Sequence, residues 1–154
     1  MILLDQEQIV IPWVENQLGI GFGPAKAIGF VLGDMGLVAA AVYHNWIPQY
    51  GSLEVSMAST TPRWASKEAI RMMFWYPFRA IGAQRVYTTT AKRNRRAVNF
   101  NRRLGMQYEG KGRRALGNDD AVVYSMLCEE WEASKWFVDL GVSDGQGQQF
   151  TATG

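Results

Sequence analysis

Apolar and polar positions along the chain first indicate where strands lie. Short apolar or alternating stretches bounded by glycine and polar turn residues predict strands over 25–32, 37–46, 52–60, 85–90, 106–110 and 121–127. The first two enclose the turn Gly33-Asp34-Met35-Gly36 and form a predicted β-hairpin. In the third, Glu54, Ser56 and Ala58 share one face, because side chains alternate along a strand.

Apolar residues three and four positions apart predict helices instead. A first helix is expected over 4–18, with Pro12 as an interruption, and a short one over 129–140. A long helix is expected after Thr60 or Thr61, from Pro62 to about residue 81, with a bend at Pro77.

A further helix follows the strand over 85–90. Its Ala97, Phe100 and Leu104 lie on one face, and Gly105 is placed to end it. The element order therefore predicts an α+β (mixed α/β) fold with a central mixed sheet and helices on both faces.

Composition narrows the class of protein. The length of 154 residues favours a single domain, predicted over 1–140, with a flexible C-terminal tail over 141–154 that is rich in Gly, Gln, Ser and Thr. The single Cys128 excludes an internal disulfide and suits a reducing compartment. No apolar run approaches the roughly 18–20 residues of a membrane span, and the N-terminus lacks a basic signal-peptide region. We therefore expect a cytoplasmic protein without a membrane partner.

The charge is small overall but uneven. The formal net charge is +2, yet six Lys and Arg residues fall between Lys92 and Arg103, and Lys111, Arg113 and Arg114 follow. This local excess favours a phosphate-bearing partner. Nucleic acid is disfavoured, because aromatic residues are not interleaved with the cluster. A solvated helix face is the remaining explanation.

One segment carries a resemblance to a known family. The run from Asn94 to Met106, NRRAVNFNRRLGM, resembles the signature N-x-x-[SA]-x-x-[FL]-x-x-x-L-G-[FM] of the GNAT superfamily of acyl-CoA-dependent N-acetyltransferases. It is most similar to the branch that contains the ribosomal-protein N-acetyltransferases. Glu109-Gly110 followed by Arg113 resembles the E-G-x-x-R that often comes next.

The resemblance implies a fold and an activity. The fold is a GNAT-like, mostly antiparallel sheet in which two parallel strands, here those with Glu54 and Tyr87, splay apart. The activity is direct transfer of an acetyl group from acetyl-CoA to a primary amine, which would be a protein N-terminus, a lysine or a small amine. No metal is expected.

The resemblance also implies a donor site. The backbone at Met57 or Ala58 would polarise the thioester, and the pyrophosphate would lie at the start of the helix near Trp64. Asn94 would contact the pantetheine arm, and nearby basic residues the ribose phosphate. The predicted cofactor-binding residues are Met57, Ala58, Ser59, Arg63, Ala65, Ser66, Lys67, Asn94, Ala97, Phe100 and Asn101.

Two departures from the family pattern keep a second function open. The segment from Arg63 to Glu68 lacks the glycines of the usual pyrophosphate loop, and Asn101 stands where a proton-donating tyrosine is common. Tyr108 is our predicted substitute acid, with Tyr87, Tyr124 or water as alternatives. The second function is a degenerate GNAT-fold protein that binds CoA, or acts as an interaction module, without catalysis.

The acceptor side rests on three residues. Glu54 is the predicted general base, acting through water, although an ion-paired strand glutamate has the same pattern. His44, the only histidine, and Trp46 are predicted substrate-binding residues, with an edge residue and a core aromatic as the alternatives. The C-terminal aromatics would allow a homodimer.

Overall fold

A computed structural model describes residues 1–141 and contains a seven-stranded sheet in the order β1-β2-β3-β4-β5-β7-β6. The strands are β1 (Ile2–Leu3), β2 (Ala25–Leu32), β3 (Gly36–Ile47), β4 (Ser52–Ser59), β5 (Arg85–Ala91), β6 (Gln107–Leu116) and β7 (Asp119–Leu127). The α-helices are α1 (Glu7–Leu18), α2 (Lys67–Trp75), α3 (Arg95–Arg103) and α4 (Cys128–Glu132). Two 3₁₀ turns, Gly33–Met35 and Pro62–Trp64, and a π-helical turn, Tyr76–Ile81, complete the elements.

Neighbouring strands pair antiparallel except for β4 and β5, which are parallel. A parallel pair needs a crossover connection, and α2 with the π-helical turn provides it. This mostly antiparallel sheet with one parallel pair confirms the predicted fold class. No helix within residues 1–141 is long and apolar enough to cross a membrane.

Two apolar clusters lie on opposite faces of the sheet. The larger contains the inner faces of α2 and the π-helical turn, with Leu104 after α3 and Trp131 of α4. The phenol of Tyr43 in β3 donates to the Met73 carbonyl at 2.6 Å, which fixes α2 on this face. Both ends of that hydrogen bond are buried, so the register of α2 on the sheet is closely defined.

The smaller cluster holds α1 against small strand residues. Val10 and Val14 are fully buried against alanines that include Ala27 and Ala40. A Cβ at Gly29 would lie 2.9 Å from Leu37 Cδ1 and 3.1 Å from Val10 Cγ2. Glycine at this position therefore lets α1 pack closely on the sheet.

The predicted long helix begins later than expected, at Lys67 and not at Pro62. Thr61 caps only a 3₁₀ turn, by accepting from the Arg63 N–H at 3.3 Å. Ser66 accepts from the Ala69 N–H at 3.1 Å and caps a separate helix, α2, which begins at Lys67. Between them the buried Trp64 packs against Phe30 and Phe100. Two caps and one buried aromatic side chain thus divide a segment whose apolar spacing alone favours one helix.

Other boundaries differ less. Helix α4 ends at Glu132, well before the predicted end at residue 140, and strand β6 runs beyond residue 110 to Leu116. Helix α1 begins at Glu7 and contains Pro12, and the two-residue β1 was not predicted. The predicted tail, from residue 142 onward, lies outside the described residues.

Candidate functional site

Strands β4 and β5 separate part-way along their length. They pair at Ser52–Arg85, Leu53–Val86 and Glu54–Tyr87, and the pairing stops there although both strands continue. Residues 55–59 and 88–91 therefore line a gap within the sheet, as the resemblance implied. Backbone N–H and C=O groups along such a gap need partners, which an extended, amide-containing ligand can supply.

A cavity of about 380 Å³ fills this gap and is lined from both faces of the sheet. Ser56 and the end of α1, at Leu18, belong to one face, while Thr88 and α3 belong to the other. Of the predicted cofactor-binding residues, the cavity is lined by Met57, Asn94, Ala97, Phe100 and Asn101. A molecule in this cavity would pass through the sheet, from the α3 face to the α1 face.

On the α3 face, Asn94 caps α3. Its side-chain oxygen accepts from the Ala97 N–H at 3.2 Å. The same amide carries two N–H donors that a cap does not use. Asn94 can therefore hold the helix start and still donate to a ligand in the cavity that it lines.

Two substitutions separate these roles of Asn94. Asn94→Ser keeps a capping oxygen but removes the amide donors, whereas Asn94→Ala removes both. We expect Asn94→Ala to lower the free energy of unfolding by about 1 kcal/mol and Asn94→Ser to leave it nearly unchanged. Both should weaken acetyl-CoA binding equally, as measured by calorimetry beside chemical denaturation. Wild-type affinity in Asn94→Ser would contradict a ligand contact by the amide.

Asn101 is buried in the wall of the same cavity. Its amide donates to Thr90 Oγ1 at 3.1 Å, and Thr90 Oγ1 lies 3.5 Å from Thr88 Oγ1. The residue that stands in place of the expected tyrosine is thus part of a hydrogen-bonded group with two strand hydroxyls. Sequence reasoning missed both threonines, although their alternation on one face of β5 was visible.

On the α1 face, Glu54 lies at the last paired position of β4. Its Oε1 accepts from Asn45 Nδ2 at 2.9 Å. Burial, then the charge of Glu54 and a hydrogen bond to it, raise the pKa of Tyr87, so this phenol stays protonated and donates. Within residues 1–141 the ion pairs involve Arg79, Arg85 and Lys111 and none includes Glu54. Its carboxylate is therefore positioned by neutral donors.

His44 lies beside Glu54 across the β3–β4 pairing. Its Nε2 is 2.8 Å from Ser56 Oγ, and the Phe22 ring packs edge-on against the imidazole. Burial lowers the pKa of His44, and the charge of Glu54 opposes that shift in part. The imidazole is consequently neutral near pH 7 and can exchange hydrogen bonds with a ligand or with water.

The lowered pKa can be tested directly, because the chain has a single histidine. We expect its one imidazole C2–H resonance to titrate below the usual value of about 6.5. A folded-state pKa below the unfolded one means that the unfolded chain binds more protons, so stability falls as pH drops through this range. His44→Gln should lose that part of the pH dependence. A pKa above the usual value would contradict the buried, neutral assignment.

The helix start predicted to bind the pyrophosphate lies at Lys67, three residues after Trp64, where it was expected. In α2 the first helical hydrogen bond runs from the Ile70 N–H to the Ser66 carbonyl. The backbone N–H groups of Lys67 and Glu68 come before it and have no acceptor within the helix. Arg63, Ser66 and Lys67 are exposed at this helix start, and Ala65 is half-buried. The position suits an anion, but the carboxylate of Glu68 competes for the same dipole.

Several predicted residues do not line the cavity, and Glu54 and His44 are among them. Trp46 packs against the larger core cluster, on the face opposite His44. Tyr108 is 57% exposed on β6, and β7 with the buried Tyr124 separates it from β5. Tyr124 in turn accepts from Arg102 Nε at 3.1 Å. Ser59 is exposed at the end of β4, while Ala58 is buried beneath α1.

Solved acetyltransferase structures share this fold. A putative acetyltransferase from T. thermophilus is 28% identical, over 79% of this chain and 68% of its own, with a TM-score of 0.64. A probable acetyltransferase of the GNAT family from Chromobacterium violaceum is 22% identical, over 84% and 69%, with a TM-score of 0.62. The chain has the fold of GNAT acetyltransferases. This confirms the predicted superfamily and its enzyme class, acyltransferase.

More distant GNAT proteins show the fold alone. The dodecameric spermidine N-acetyltransferase from Vibrio cholerae is 14% identical, over 71% of this chain and 67% of its own, with a TM-score of 0.60. No family model matches the chain, and no curated protein does. The ribosomal-protein branch of the superfamily stays a prediction.

Proposed function

We propose that this GNAT protein is an N-acetyltransferase that moves an acetyl group from acetyl-CoA directly to a primary amine. One observation carries the proposal: the cavity passes through the sheet at the splay, next to Glu54 of the last pair on the α1 face and to the Asn94 cap on the α3 face. Such a passage lets a donor enter from one face and an acceptor from the other, and they would meet at the gap.

The donor side matches the parts of acetyl-CoA. The amides of the pantetheine arm would pair with the open edges of β4 and β5. Successive N–H groups of a strand point to opposite edges, so either Met57 or Ala58 turns its N–H to the gap and can polarise the thioester carbonyl. The phosphates would meet the start of α2 with Arg63 and Lys67, and the basic start of α3 with Arg95.

The acceptor side supplies the base. An amine that enters beside α1 would meet the carboxylate of Glu54, held by Asn45 and Tyr87. Glu54 would take a proton from the amine, directly or through water, and the free amine would attack the thioester carbon. Holding both reactants in one passage supplies much of the rate enhancement, and no covalent enzyme intermediate is needed.

The class of acceptor stays open among a protein N-terminus, a lysine and a small amine. The likeness to a spermidine acetyltransferase is one of fold and does not choose between them. A homodimer is likewise only proposed. The single cysteine suits the cytoplasm, where we expect the protein to act.

A non-catalytic CoA-binding protein is the second candidate. It is favoured by the glycine-free turn before α2, with Glu68 in the first turn, and by Asn101 in the tyrosine position. Such a protein would bind acetyl-CoA without turnover.

Two measurements decide between these functions. Calorimetry with acetyl-CoA and CoA tests donor binding, and no heat at millimolar nucleotide would overturn both candidates. Release of free thiol in the presence of a panel of peptides, lysine and small amines then tests transfer. Binding without amine-dependent thiol release would favour the non-catalytic protein.

A further inference from the structure

The apex of the splay carries one polar side chain on the α3 face. The first residues beyond the last pair are Val55 on β4 and Thr88 on β5, and both line the cavity. Thr88 alternates with Tyr87 and so points to the face opposite Tyr87 and Glu54. The donor arm is proposed to enter from the α3 face, and the sulfur joins that arm to the acetyl group. The sulfur therefore lies on the α3 side of a thioester carbon held in the gap. The hydroxyl of Thr88 is then the polar group of the apex that faces the sulfur.

The hydrogen bonds among Asn101, Thr90 and Thr88 allow the Thr88 hydroxyl proton to point into the cavity. Asn101 Nδ2 can only donate, so Thr90 Oγ1 accepts from it. Thr90 Oγ1 lies 3.5 Å from Thr88 Oγ1, and either hydroxyl can donate in this pair. In the arrangement in which Thr90 donates, Thr88 Oγ1 accepts and its own proton is left to point into the cavity. Thr90 and Asn101 are both less than a tenth exposed, so this order is not disturbed by bulk water.

We propose that Thr88 is a catalytic residue that donates a hydrogen bond to the departing thiolate, and that Thr90 and Asn101 position its hydroxyl. The proposal rests on the proposed acetyl transfer. It explains how a chain with asparagine at position 101 can manage without a tyrosine acid there.

The step balances without proton transfer from threonine. The amine nitrogen bonds to the thioester carbon, the C–S bond breaks, and its electron pair leaves on sulfur as a thiolate. After attack the nitrogen carries one proton more than the amide keeps. That proton goes to water, or to Glu54 once Glu54 has passed its first proton to solvent. Thr88 keeps its proton and stabilises the charge, because hydrogen bonds to charged groups are stronger than neutral ones. The thiolate takes a proton from solvent after release.

Substitutions of the three residues test the inference. Thr88→Val removes the hydroxyl at nearly constant size and should lower kcat about ten- to hundredfold, with the KM for acetyl-CoA little changed. Thr88→Ser keeps the hydroxyl and should recover most of the rate. Thr90→Val and Asn101→Leu should give smaller losses in the same direction. Asn99→Ala, at an exposed asparagine of the same helix, is the matched control.

A binding measurement distinguishes a role at the sulfur from a structural one. If Thr88 stabilises a thiolate, CoA should bind more tightly to the wild-type protein as pH rises from about 7 to about 10, a range that brackets usual thiol pKa values. Desulfo-CoA, which has no thiol, should show no such rise. Thr88→Val should remove the difference between the two ligands, with a thermal melt to confirm that the variant is folded.

The outcomes distinguish failure of the proposed role of Thr88 from failure of the proposed acetyl transfer. Wild-type kcat in Thr88→Val, or an unchanged pH dependence of CoA binding, would overturn the role of Thr88 and leave acetyl transfer intact. A rate in Thr88→Ser as low as in Thr88→Val would likewise contradict a hydroxyl donor. Absence of acetyl-CoA binding by the wild-type chain would overturn the proposed function, and this inference with it.

Discussion

Replacing Glu54 by glutamine is expected to lower kcat for acetyl transfer by about 10²-fold or more, with little change in the KM for acetyl-CoA. General base catalysis typically contributes about 10²–10⁴-fold, and glutamine cannot accept the amine proton. The amide oxygen can still accept from Asn45, so the strand geometry should survive. Since Glu54 faces α1 and the donor is proposed to lie on the α3 face, donor binding should be spared. Steady-state kinetics with a saturating amine would measure both parameters.

The matched control is Glu129→Gln, at an exposed glutamate of α4 far along the chain from the splay. It removes the same charge and should leave kcat unchanged. Raising the pH should rescue Glu54→Gln in part, because more of the amine is then already unprotonated. Full activity of Glu54→Gln near pH 7 would remove Glu54 as the base and direct attention to the neutral His44 beside it.

The second large effect concerns stability. Trp131→Ala is expected to lower the free energy of unfolding by about 3–5 kcal/mol, because the indole is fully buried and a cavity would remain. The ring stacks on Phe78 with centroids 5.2 Å apart and meets Phe137 edge-on at 5.0 Å. The Arg79 guanidinium lies 4.9 Å from its centroid. The free energy of unfolding of a typical protein is about 5–15 kcal/mol in total, so this loss should be readily measured by urea denaturation.

Trp131→Phe is the control for this prediction. The indole Nε1 is buried without a hydrogen-bond partner among the described residues, so phenylalanine gives up no hydrogen bond there. We expect a loss of about 1–2 kcal/mol, from volume alone. Equal losses for phenylalanine and alanine would contradict this prediction, because a phenyl ring would then restore none of the packing.

The sequence predicted the strands better than the helices. The first strand of the hairpin was predicted with its observed bounds, Ala25–Leu32, because strand periodicity and turn residues agree there. The helix after Thr61 was predicted to begin too early because three local features compete within a few residues: the caps at Thr61 and Ser66 and the burial of Trp64. Apolar spacing cannot show whether Thr61 or Ser66 caps the helix, because that choice depends on the burial of Trp64 in the folded core.

The site was predicted in part. Asn94 and Asn101 were predicted through the resemblance of the segment from Asn94 to Met106 to the GNAT signature, and both line the cavity. Tyr108 was chosen as an acid only because a tyrosine was expected nearby. Its strand lies at the far edge of the sheet, where β7 separates it from the splay. The hydroxyl of Thr88 was missed, because nothing in a run of threonines shows which one lies at the apex.

The sequence by itself determined the order of the elements, the α+β class and the segment from Asn94 to Met106 that carries the resemblance to GNAT proteins. These depend on local periodicity, capping and spacing, which act within about ten residues along the chain. Only the tertiary structure decided that pairing stops after Glu54 and Tyr87, and so where the cavity lies. It also brought His44, Glu54 and Tyr87 together on one face. Strand periodicity defines faces within a strand, but register between strands is set by non-local pairing and by the helices packed above.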